Sequence, residues 1–114
     1  MYVTSIERTE EKTTPSGVTV RWLLTEEAGA PLFEMRYFEI GKGRSTSGRP
    51  HPFEHEVYVV RGKGKIEGDG QTVDIAPGDA ILIFPEERHK FINISDDPLG
   101  IICLIPNGKE NELK

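Results

Sequence analysis

Short stretches of this chain alternate apolar and polar residues with a period of two or run apolar over four or five residues, and runs with helical spacing are scarce. Val18, Val20, Trp22 and Leu24 alternate with Thr19, Arg21 and Leu23, which predicts a strand with mixed faces. Phe33, Met35 and Tyr37 share one parity and Glu34 and Arg36 the other. Residues 32–40 therefore predict a second strand, with Phe33 and Met35 on its core face. Val57-Tyr58-Val59-Val60 is β-branched and aromatic, a third strand, with Tyr58 expected in the core. Asp69-Gly70 separates Lys65-Ile66-Glu67 from Thr72-Val73-Asp74-Ile75 and suits the positive φ angles of a tight hairpin. Pro77-Gly78-Asp79 marks another turn, capped by Asp79, before the apolar run Ala80–Phe84. His89–Asn93 opens a further strand, Ser95-Asp96-Asp97-Pro98 ends it, and Leu99–Ile105 forms the last. Residues 7–17 are charged and then turn-rich and read as a loop. Residues 107–114 are polar and are expected to fray.

So many short strands at close spacing imply an all-β sandwich or barrel. A chain of 114 residues with no internal boundary, repeat or low-complexity tract reads as a single domain over 1–114, its core over about 18–106. Twelve glycines and eight prolines fit a turn-rich β protein. A formal net charge of −5 argues against nucleic acid or an anionic membrane as partner. Cys103 is the single cysteine, so no internal disulfide can form and a reducing compartment is the simpler reading. The start Met1-Tyr2-Val3-Thr4-Ser5-Ile6-Glu7 lacks the basic and apolar pattern of a signal peptide, and no apolar stretch is long enough to span a bilayer. A cytoplasmic protein is expected.

The chemistry concentrates in Arg49-Pro50-His51-Pro52-Phe53-Glu54-His55-Glu56, which holds two of the three histidines; the third, His89, lies in a second ordered motif. A lone histidine is more often a solvated or capped side chain than a ligand. Three in two turn-bounded motifs point instead to a metal site. Arg49, His51, Phe53 and His55 share strand parity. A fully extended chain would hold the Cα atoms of His51 and His55 about 13 Å apart. That exceeds the reach of one ion with metal–nitrogen bonds of about 2.0–2.1 Å. The chain must bend between them, and Pro50 and Pro52 stiffen the backbone on either side of His51. The spacing of His51 and His55 also matches a zinc-protease helix, but Pro52 stands where that motif needs Glu, and a β-branched run follows.

These two motifs resemble the paired motifs of the cupin superfamily. Gly43, five residues, Arg49, one residue, His51, three residues, His55, six residues and Gly62 parallel the first cupin motif. Gly78, Pro85, His89 and Asn93 parallel the second, without the glycine that often follows its proline; Glu87 is near that place. The run His51–Gly62 and the ending Cys103–Pro106 are similar to small single-domain cupins of thermophilic bacteria, and the resemblance spans about residues 32–106. It implies a double-stranded β-helix, or jelly-roll barrel, with one divalent metal ion (Fe, Mn, Zn, Ni or Cu) held inside by His51, His55 and His89. His55 falls where most cupins place Glu, so Glu56, one residue on, is the second choice. Arg49 stands where the first motif histidine is expected. A guanidinium cannot ligate a metal. Arg49 either turns away, pairing with Glu54 or Glu39, or binds a substrate carboxylate or phosphate at the barrel mouth.

Phe33, Met35, Phe53, Phe91 and Cys103 are candidates for an apolar substrate-binding pocket, with Arg49 at its mouth. The resemblance implies a metal-dependent enzyme acting on a small molecule, with dioxygenase chemistry as the first expectation. The rivals are a sugar isomerase or epimerase and a non-catalytic ligand-binding or sensing module. It also implies a homodimer, in which residues 1–10 pair with an edge strand of a second subunit.

Overall fold

The alternation resolves into nine strands in the computed structural model, which describes residues 1–114. They are β1 (Glu11–Thr13), β2 (Thr19–Leu24), β3 (Phe33–Ile40), β4 (His55–Arg61), β5 (Gly64–Gly68), β6 (Gln71–Ile75), β7 (Ala80–Ile83), β8 (Lys90–Asn93) and β9 (Leu99–Pro106). Neighbouring strands run antiparallel in a six-stranded sheet, β1-β2-β3-β9-β4-β7, and a three-stranded sheet, β6-β5-β8. Residues 44–46 add to the free side of β8. Ser45 bridges Ile92, and Asn93 N donates to Arg44 O at 3.1 Å. The result is the jelly-roll sandwich that the sequence led us to expect. No helix is long and apolar enough to cross a membrane.

Local turn chemistry sets the register. Asp69 and Gly70 take φ of 44° and 81°, and the β5–β6 ladder closes on the pair Gly68–Gln71. Asp79 Oδ2 accepts from Ala76 N at 2.8 Å and caps the turn before β7. Asn93 Nδ2 donates to Ile40 O and to Asp97 O, both at 2.8 Å, and Asn93 Oδ1 accepts from Ser95 N. This one side chain ties the end of β8 to β3 and to the turn before β9.

Strand alternation selects the core. In β4 His55, Val57 and Val59 point inward while Glu56, Tyr58 and Val60 are exposed. In β9 Leu99, Ile101, Cys103 and Ile105 are buried, and they meet Ile40, Ile75, Ile83 and Phe91 between the sheets.

Four expectations are corrected. Residues 7–17 are not all loop, because β1 pairs with β2 through Glu11–Arg21, Lys12–Val20 and Thr13–Thr19. Tyr58 lies on the outer face of β4 and is 49% exposed. The largest correction is β3, whose inward face is the opposite one. Glu34 and Arg36 are 0% and 1% exposed, Phe33 is 59% exposed and Met35 is half-buried. Buried charges need partners, and here residues 107–114 supply them. Lys114 Nζ donates to Glu34 Oε2 at 2.9 Å, and Glu110 pairs with Arg36. Glu34 also accepts from Glu26 N at 2.9 Å. The tail is thus docked rather than frayed. Asn107 Nδ2 donates to Ala30 O, Trp22 Nε1 donates to Leu113 O at 3.1 Å, and Asn111–Leu113 forms a 3₁₀ turn.

Candidate metal centre and cavity

His51, His55 and His89 converge although two of them lie outside the regular strands. His55 is the first residue of β4 and points inward by parity with Val57. His51 lies just before the bend at Pro52 and Phe53 that leads into β4. Its carbonyl accepts from Glu86 N, which ties the first histidine loop to the loop carrying the third. Glu86 takes φ of 69°, a left-handed conformation that favours glycine. Glu87 Oε1 accepts from Phe84 N at 3.0 Å, and His89 Nδ1 lies 2.9 Å from Glu87 O. That contact fits an Nδ1–H donor and leaves His89 Nε2 as the lone-pair donor.

The ring centroids of His51 lie 5.1 Å from His55 and 5.5 Å from His89, and those of His55 and His89 are 4.7 Å apart. One ring nitrogen from each histidine lies within 4.8 Å of the others. Nitrogens around one ion at about 2.0–2.1 Å sit closer than that, so the rings need small rotations to ligate it together. His55 Nδ1 is buried with no hydrogen-bond partner. An orphaned buried lone pair in a group of three imidazoles is what a divalent metal would satisfy. Burial, helped by His89, Arg36 and His51, pushes the His55 imidazole down to about 3. Burial also lowers His51, with the Glu110 carboxylate opposing and His89, Arg49 and Arg36 assisting. Both rings are neutral near pH 7 and keep the lone pairs that ligation needs.

The cluster opens on a cavity of about 290 Å³. Phe38, Val57, Ile83, Phe91 and Ile101 form its apolar wall, and Arg36, Arg49, Cys103 and Glu110 supply its polar groups. Of the expected pocket residues, Arg49, Phe91 and Cys103 line it. Phe53 does not, but its ring stacks on His51 at 5.0 Å and lies 5.1 Å from His55, so it buttresses both. Phe33 and Met35 are on the outer face of β3 and are excluded. Glu56 is exposed on the outer face of β4, so the second choice of ligand fails by parity. Arg49 does not pair with Glu39, which is engaged by Arg61, nor with Glu54. Arg36 and Glu110 were not foreseen. An inward parity would have flagged Arg36; nothing local in the sequence marks Glu110, 74 residues away.

Residues 36–105 match the sequence profile of the cupin domain. The chain belongs to the cupin family. Among curated relatives, it is 31% identical over 72 residues to 1-methylthio-D-xylulose 5-phosphate methylsulfurylase of Rhodospirillum rubrum, an alignment covering 63% of this chain and 46% of that protein. It is 32% identical over 88 residues to polyketide synthase CurC of Streptomyces cyaneus, covering 75% and 57%. This cupin spans about half the length of the curated relatives it matches. The polyketide cyclase RemF of Streptomyces resistomycificus superposes with a TM-score of 0.86 at 26% identity, over 93% of this cupin and 79% of that chain.

Proposed function

We propose that this cupin is a metal-dependent enzyme acting on a small organic molecule with an apolar body, and that its chemistry is oxidative, of the dioxygenase kind. The observation that carries the metal part is the convergence of His51, His55 and His89, with a ring nitrogen of each within 4.8 Å of the others, on an apolar cavity. When bound, a divalent ion such as iron or manganese supplies Lewis acidity and one-electron chemistry with open positions for substrate. The chain supplies the rest. Phe53 and the Glu87 carbonyl fix the imidazole planes. Phe38, Phe91, Ile83 and Ile101 hold the substrate body and exclude water from the reacting atoms. Arg36 and Arg49 offer positive charge to an anionic part of the substrate.

A second reading, a non-oxidative cyclisation or isomerisation on the same three histidines, is favoured by the likeness to proteins named polyketide cyclase and polyketide synthase. The two differ in their need for oxygen. Iron- or manganese-loaded protein is incubated with aromatic and polyketide-like substrates, with and without air, while oxygen uptake and product are followed. Oxygen consumed in step with product supports the first reading. Equal turnover under nitrogen replaces it with the second.

A further inference from the structure

The geometry points to Arg36 and His51 as a carboxylate-binding subsite that the chain's own Glu110 fills in the closed state, so the natural ligand is a small carboxylate that displaces the tail. This deepens the proposed function and rests on it for the cavity being a ligand site.

Arg36 is an unusual resident of a barrel wall. It is 1% exposed, and its guanidinium lies over two rings, 5.3 Å from the centroid of Trp22 and 4.7 Å from that of Phe38. Those faces pack against it, while Arg36 Nη2 donates to Cys103 Sγ at 3.3 Å on the neighbouring strand β9. Arg36 Nε is buried with no partner at all. A planar, immobilised and incompletely satisfied guanidinium is a preorganised receptor for a carboxylate.

The group on it is a carboxylate. Arg36 Nη1 donates to Glu110 Oε2, and Glu110 Oε1 lies 3.1 Å from His51 Nε2. One carboxylate thus spans the guanidinium and a ring of the metal cluster, where a ligand carboxylate would be aligned for chemistry. The apolar wall of Phe38, Phe91 and Ile101 lies beside it for the ligand's body.

Glu110 is held there under tension. Its own φ is 54°, a left-handed conformation that non-glycine residues adopt at a cost. The rest of the tail is tied by Asn107 to Ala30 and Leu32, by Gly108 N to Glu34, by Trp22 Nε1 to Leu113 O and by Lys114 to Glu34 and Glu27. A ligand carboxylate that takes over Arg36 relieves the strain as the tail leaves.

Tag-free, chelator-treated protein is titrated calorimetrically with three probes of one shape: benzoate, phenyl phosphate and benzyl alcohol. Glu110→Ala is expected to bind benzoate at least tenfold tighter than the parent, with Glu110→Gln shifted the same way and benzyl alcohol unchanged. Adding Arg36→Met to Glu110→Ala is expected to erase the gain. Circular dichroism establishes folding, and the isosteric Glu110→Gln decides the matter if the alanine variant does not fold. Benzoate affinity within twofold of the parent overturns the proposal. So does a gain that survives Arg36→Met, or one larger for phenyl phosphate than for benzoate. Because the titration uses metal-free protein, its failure is separate from a failure of metal binding, which is read by elemental analysis on untreated samples.

Discussion

Arg36 and Glu110 form an ion pair shielded from water inside the barrel mouth, with 2% and 10% of their side chains exposed. It ties β3 to the C-terminal tail. Removing one member of such a pair leaves a buried charge uncompensated, typically at a cost of about 3–5 kcal/mol, whereas replacing both by apolar groups is often neutral. Arg36→Met is therefore expected to lower the urea midpoint strongly, and Arg36→Met combined with Glu110→Leu to recover most of the loss. Urea denaturation followed by Trp22 fluorescence checks this. An additive double variant would show that the two charges do not act as a pair.

Phe53 holds the imidazoles without lining the cavity. Its ring stacks on His51 with an interplanar angle of 18°. Groups that orient metal ligands typically contribute about 10–100-fold in affinity. Phe53→Ala is expected to weaken zinc binding by that factor while leaving the stoichiometry at saturation unchanged. Competition against a chromogenic chelator measures both quantities.

Cys103 is buried between the sheets. Burial raises its thiol above the ordinary value, with Arg36 opposing. The folded state keeps the proton when the unfolded thiol, near pH 8.5, has begun to lose it. A raised folded pKa contributes stability below the unfolded value and loses it as pH rises. The parent is thus expected to lose more stability between pH 8 and 10 than Cys103→Ala does. A chromogenic disulfide reagent at pH 8 is expected to modify Cys103 only in denaturant. Rapid modification of the native protein would contradict the burial.

What the sequence made legible was local. The Asp69-Gly70 hairpin and the turn at Asp79 follow from backbone preferences of the residues themselves. His51, His55 and His89 were recognisable from motif spacing, and strand parity then separates His55 from Glu56. The face of β3 was not legible. Alternation divides Phe33 and Met35 from Glu34 and Arg36 but does not say which pair is inward when the partners, Lys114 and Glu110, come from the far end of the chain. Apolar content pointed to the wrong face because the interior at this end is an ion-paired network. The docked tail was hidden for the same reason: its polar residues read as solvated until the buried charges they satisfy are known. β1, three residues long, carries too little alternation to be seen.

The central claim is that three imidazoles bind one metal ion, and elemental analysis of untagged protein tests it most directly. The parent, grown with divalent metals and then dialysed, is expected to carry one ion per chain, and His51→Ala and His89→Ala to carry none while remaining folded. A metal-free parent, or variants that keep a full complement, would contradict it.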